Sequence, residues 1–142
     1  EYVLYMIAVD ADGNPSTTMV KKEYTSKKPT FVRKDKDTDL WNASVPEVTI
    51  DKIEKDKFYT VSYTVKPNSA CEIFYVFAGP ADYLTGMYDE QIRYVMKNGV
   101  KQTTTYSGST YGTLPTNINV TWMDKEGRFY EVSKTVVDAP TQ

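Results

Sequence analysis

Residues 2–10, YVLYMIAVD, are apolar at nearly every position. A run of β-branched and aromatic side chains without alternation predicts a strand covered on both faces. The polar stretch ADGNPS interrupts it, and TTMVKKEYTS (17–26) returns as a strand of weaker contrast, so the two make a hairpin. Residues 27–47 sustain neither a period of 2 nor one of 3.6, and their lysines, aspartates and two prolines predict a linker or an extended lead-in. About twenty residues is long for a loop inside a compact domain, and Phe31 and Trp41 are expected to pin part of it down by packing.

From residue 48 the pattern is β. VTIDKI (48–53) is a short strand, and FYTVSYTV (58–65) sets Tyr59, Val61, Tyr63 and Val65 against Thr60, Ser62 and Thr64, the period of a half-buried strand. KPNSA turns the chain, CEIFYVFA (71–78) is a second central strand, and Gly79-Pro80 ends it. Beyond it, Leu84, Tyr88, Ile92 and Val95/Met96 recur at spacings of three and four and stop at Asn98-Gly99. That spacing predicts a helix at about 81–98, split in two at Gly86, with its apolar stripe laid on a sheet edge or sandwich mouth and Asp89, Glu90 and Arg93 in water. Residues 100–114 read as a polar loop with one edge strand around Lys101–Tyr106. NINVTWM (117–123) alternates again, DKEG turns, and RFYEVSKTVV (128–137) completes a second hairpin.

The two hairpins match at an offset of 114 residues: Asp10 falls on Asp124, Asp12 on Glu126 and Gly13 on Gly127, each between an apolar and a mixed strand. Such self-similarity implies that residues 1–26 are the terminal hairpin of a preceding β module, that 27–47 link it onward, and that 48–140 form a complete module. The stretch from Tyr2 through AVDADGN resembles strand F and the F–G turn of a fibronectin type III-like domain. It is most similar to the tandem modules in surface lipoproteins of gut Bacteroidetes, where an acidic helix is inserted after the strand equivalent to 71–78. In such sandwiches a tyrosine near the start of strand F bonds back to the backbone. Tyr2 fits that place, whereas its counterpart in the second copy is Thr116. The resemblance implies an all-β fold with one inserted α-helix, an immunoglobulin/fibronectin III-like β-sandwich preceded by a neighbour's terminal hairpin. It further implies an extracytoplasmic location, on the cell surface or secreted.

Composition narrows the chemistry more than it supplies any. The 142 residues are 40% hydrophobic and 25% charged, within the range of folded domains. A net charge of −2 without a basic run disfavours nucleic acid and anionic membranes as partners. No apolar run approaches the roughly 18 residues of a membrane span, and no signal peptide opens the sequence, which reads as starting inside a domain. Histidine is absent, which removes the commonest general base and the histidine-containing zinc sites. The single cysteine, Cys71, sits in an apolar strand and is expected to fill core.

Residue type and spacing offer three candidate sites. An EF-hand reading of Asp10 onward fails, because Pro15 takes the glycine position and Lys21 that of the bidentate glutamate, so the stretch is a turn. Asp82, Asp89, Glu90, Glu72 and Asp124 could supply a glycosidase pair about 5 to 9.5 Å apart, but each is expected at a turn, helix start or strand edge. SGSTYG (107–112) lacks the Gly-Lys-Ser/Thr of a phosphate loop. The chain therefore reads as a non-enzyme without cofactor or metal. Among the twelve tyrosines and two tryptophans, the loop aromatics Tyr106 and Tyr111 and the linker Trp41 are the ligand-binding candidates. The expected work is that of a spacer, adhesion or protein-interaction module; alternatives are a carbohydrate-binding module and an accessory domain of a larger glycan-degrading enzyme. A cell-surface protein or a glycan is the expected partner, and a homodimer through the N-terminal hairpin a further one.

Overall fold

The computed structural model describes residues 2–25 and 30–141, apart from the side chains of residues 89 and 90. In chain order it holds β1 (Tyr2–Val9), β2 (Pro15–Tyr24), β3 (Phe31–Val32), α1 (Thr38–Ser44), β4 (Glu47–Lys55), β5 (Tyr59–Lys66) and β6 (Cys71–Pro80). There follow α2 (Asp89–Lys97), β7 (Val100–Gln102), β8 (Tyr106–Gly112), β9 (Thr116–Asp124), β10 (Phe129–Tyr130) and β11 (Ser133–Val137). The chain is thus mostly strand, and the all-β expectation holds at that level.

The alternation of β5 shows how sequence becomes architecture. Val61, Tyr63 and Val65 are buried while Thr60, Ser62 and Thr64 are half-buried on the other face. This strand is the centre of a sheet ordered β4-β5-β8. A second sheet runs β3-β10-β9-β6-β7, with β11 also paired to β9. Tyr63 and Val65 of the first sheet meet Phe74, Val76, Ile118, Val120 and Trp122 of the second in one core. Strand β9 lies at its middle, buried on both faces except for the half-buried Met123.

Several expectations are corrected. Residues 106–112 are not loop: they form β8, paired along their whole length with β5 from Tyr59↔Gly112 to Val65↔Tyr106. Two of the four inward positions are Gly108 and Gly112, which hide the period. At Gly108 a Cβ would stand 2.8 Å from the Tyr106 ring and 2.9 Å from the Tyr63 hydroxyl, so the missing side chain makes room for two tyrosines on the same sheet face.

The segment 27–47 is not a linker over its described part. Residues 26–29 lie outside the described residues, but 31–32 form a parallel pair with β10 and 38–44 form α1. Asp37 caps this helix by accepting from the Leu40 N–H at 3.1 Å, and Val45-Pro46 stops it. Two helices are therefore present among the described residues, not one. The inserted helix is shorter than expected: 81–86 are successive turns, with bonds from Tyr83 N–H to the Pro80 carbonyl and Thr85 N–H to that of Asp82, and only 89–97 are α. Its start is set by the Tyr88 N–H donating to Gln91 Oε1 at 2.9 Å. Leu84 and Met96 are buried as the stripe requires, but Tyr88 is 77% exposed. Arg93, expected in water, is half-buried with its guanidinium 5.6 Å from the Phe31 ring and 5.0 Å from that of Phe129. The expectation for Asp89 and Glu90 falls on side chains outside the described set.

Candidate functional site

The three aromatic candidates do not converge. Tyr106 and Tyr111 share β8 but stand five residues apart, so the strand pleat sends them to opposite faces. Tyr106 faces inward and tilts against Tyr63 at 6.3 Å, where burial and the Tyr106 phenol push the Tyr63 hydroxyl up to about 12. Tyr111 faces outward, 60% exposed, with Phe58 edge-on at 5.5 Å. Phe58 was missed as a candidate. It lies two residues before Thr60, which pairs with Tyr111, so the same parity that sends Tyr111 out sends Phe58 with it.

Trp41 is core, as expected of a residue that pins its segment down by packing, and is therefore no exposed ligand-binding aromatic. It is 7% exposed, meets Trp122 edge-on at 5.2 Å, and donates its indole N–H to the Glu131 carbonyl at 3.3 Å. Lys34 covers its remaining face, Nζ 4.6 Å from the ring centroid. What remains as an aromatic surface is Tyr111 with Phe58, on a sheet face that also presents Thr60, Ser62, Thr64 and Ser107. Thr64 there donates to Asp51 at 2.6 Å and lies 3.0 Å from the Ser107 hydroxyl.

A second apolar surface lies on α2. Met87, Gln91, Tyr94 and Val95 line an open hollow of about 400 Å³, with Tyr94 73% exposed. Tyr94 and Val95 each stand about one turn beyond Gln91 on α2, and Met87 lies just before the helix begins.

Asp10 and Asp124 build the same turn. Asp10 Oδ1 accepts from the N–H groups of Asp12 (3.0 Å) and Asn14 (2.8 Å), and Asp124 Oδ1 from those of Glu126 (3.0 Å) and Arg128 (2.9 Å). Gly13 and Gly127 follow at φ of 83° and 80°, the left-handed region that glycine enters without penalty. The turn reading of AVDADGN is thereby realised.

The two carboxylates differ in surroundings. The Asn14 N–H leads the bonds that hold the exposed Asp10 below the ordinary carboxylate value, against an opposing effect of desolvation. Burial works to raise Asp124, yet the hydrogen bonds from Tyr130 and Arg128 outweigh it and keep this group low as well. Asp124 Oδ2 takes the Tyr130 hydroxyl and Arg128 Nε, each at 2.6 Å. This carboxylate is saturated by structure, with no oxygen left to accept a proton from a substrate.

Cys71 is buried, and burial together with the Glu72 charge pushes its thiol up to about 11, so it stays protonated at neutral pH. Among the described residues no group of three or more acidic or cysteine side chains is arranged to hold a metal ion. Among them, too, no helix is long and apolar enough to cross a membrane. In comparison with known proteins, no family model, no curated protein and no solved structure matches the chain.

Proposed function

We propose that this chain is a non-catalytic β-sandwich module of the immunoglobulin/fibronectin III-like kind, serving as a spacer or adhesion unit in a cell-surface or secreted bacterial protein. The observation that carries the reading is how the strands are shared out. Counting from β4, the first, second and fifth strands make one sheet, and the third, fourth, sixth and the final pair make the other. Immunoglobulin-type sandwiches divide A, B and E from C, F and G in the same way, and their variable form adds a C′ strand beside C as β7 does beside β6. The side chains with chemical potential, Asp124, Cys71, Tyr63 and Trp41, are all spent on packing and bonding inside that frame.

Two measurements test it. Mild proteolysis of intact producing cells releases the chain if it is surface-borne; protection until the cells are lysed overturns the location. On a glycan array the spacer reading expects no saturable signal from wild type or from Tyr111→Ala. The exposed Tyr111–Phe58 pair on its hydroxyl-rich face favours one second reading, a carbohydrate-binding module. Array binding that disappears in Tyr111→Ala would replace the first reading with the second.

A further inference from the structure

The hairpin β1–β2 is apolar and uncovered. Tyr2, Leu4 and Met6 point to one face of β1 and Val3, Tyr5 and Ile7 to the other, all between 43% and 67% exposed. On β2, Met19, Val20 and Tyr24 are exposed beside them. Together these side chains offer on the order of 1,000 Å² of surface, where one partner of a standard interface buries roughly 800 Å². A lone two-stranded hairpin is marginal in water, so this surface is built to be covered.

The two edges of the hairpin differ. Strand β2 carries Lys21, Lys22 and Glu23, with Lys21 and Glu23 paired at 2.7 Å, the charges that blunt an open edge. Between Tyr2 and Val9 strand β1 holds no charge and no proline. The free edge of β1 is the one left open to pairing.

The body of the same chain contains the completed counterpart. At the offset of 114 residues the turn of β1–β2 falls on that of β9–β10, and the first pair after it, Val9↔Pro15, falls on Met123↔Phe129. Strand β9, the counterpart of β1, is flanked along its other edge by antiparallel β6 and buried on both faces. We infer that β1–β2 is the closing hairpin of a second β-sandwich, and that an antiparallel strand from the polypeptide segment preceding residue 1 pairs along the free edge of β1. This rests on the module reading above. On the same offset Leu4 and Met6 take the inward places of Ile118 and Val120, so the incoming strand places small or β-branched residues opposite them, as Ala78 and Val76 stand opposite Ile118 and Val120. A second copy of this chain has no free equivalent of that strand to offer, because its own β6 is already flanked by β9 and β7. Two hairpins pressed together would leave one apolar face of each in water.

The test compares residues 1–142 with the same protein carrying everything its reading frame encodes upstream. It uses hydrogen exchange over residues 2–9, thermal unfolding and solution mass. In the shorter chain β1 amides exchange at nearly the unprotected rate; in the longer one they slow by about 100-fold or more, as amides of a sheet interior do. Continued rapid exchange in the longer chain overturns the inference, and so does a reading frame that encodes no strand-forming segment before residue 1. Protection already present in 1–142 overturns it too: a concentration-dependent dimer assigns the surface to a second copy, and a protected monomer assigns it to the chain's own body. If β4 to β11 unfold cooperatively while β1 stays unprotected in the longer chain, the inference falls and the module reading stands. If β4 to β11 show no cooperative unfolding, both fall.

Discussion

The side chain of Asp124 shows what a sandwich does with a carboxylate that it cannot leave to solvent. At 2% exposure its charge is tolerable only because two backbone N–H groups, a phenol and a guanidinium share its two oxygens. These bonds hold its folded pKa below the ordinary value of 3.8 despite the opposing effect of burial. The sign of the linkage follows from that depression. Above about pH 4 the carboxylate is charged in both states and its bonds stabilise the fold in full, and as pH falls the unfolded chain takes the proton first. Asp124→Asn should therefore cost about 2 kcal/mol near neutral pH, the scale of hydrogen bonds to a charged group. Urea unfolding of both proteins between pH 6 and pH 2 should show that difference shrinking once the pH drops below the unfolded value; a difference that stays constant would assign the cost to packing alone.

At the scale of elements, the twin turns allow one substitution to be made in two settings. Gly13 and Gly127 share the same positive φ, and alanine there meets the left-handed penalty of about 1–2 kcal/mol. Gly127→Ala should lower the unfolding midpoint of the body, because its turn joins β9 to β10 inside the six-stranded sheet. Gly13→Ala should leave that midpoint unchanged, because among the described residues its strands pair only with each other. Equal shifts in calorimetry would mean that the hairpin is energetically part of the body.

These turns were legible in the sequence because Asp, a two-residue gap and Gly fix a turn locally, wherever the chain places it. Strand β5 was legible for the same reason, its polar and apolar residues alternating without a gap. Strand β8 was not. Its inward side chains are Tyr106 and Thr110 separated by glycines, and only the crowding of Tyr106 and Tyr63 over position 108 explains why glycine is needed there. Helix α1 carried its signals in Asp37, Leu40, Trp41 and Pro46, but seven residues give too few repeats for a period to stand out. Its inward Ser44 reads as polar until Trp122 is seen donating to it at 2.9 Å. Of the aromatic candidates, Trp41 and Tyr106 turn inward for the same cause: exposure depends on what lies across the core, and Trp41 faces Glu131, ninety residues away in the chain.

In the molecule as a whole, that distant contact decides where the body begins. Strand β3 runs parallel to β10, α1 lays Trp41 and Ser44 against Trp122, and the Lys34 N–H donates to Glu131 Oε2 at 2.9 Å. Residues 31–45 are thereby fastened to the far end of the chain, and the core between the sheets is closed by a segment that precedes β4. If this closure belongs to the cooperative unit, Trp41→Ala removes a large buried ring and should cost about 3–5 kcal/mol, the range for emptying an aromatic site in a core. That is a large share of the 5–15 kcal/mol that stabilises an ordinary domain. Far-ultraviolet and near-ultraviolet circular dichroism, followed together through urea, should then report one coincident transition moved far toward lower denaturant. A segment that only linked two modules would behave otherwise: Trp41→Ala would shift the midpoint by no more than about 0.5 kcal/mol, as surface substitutions do.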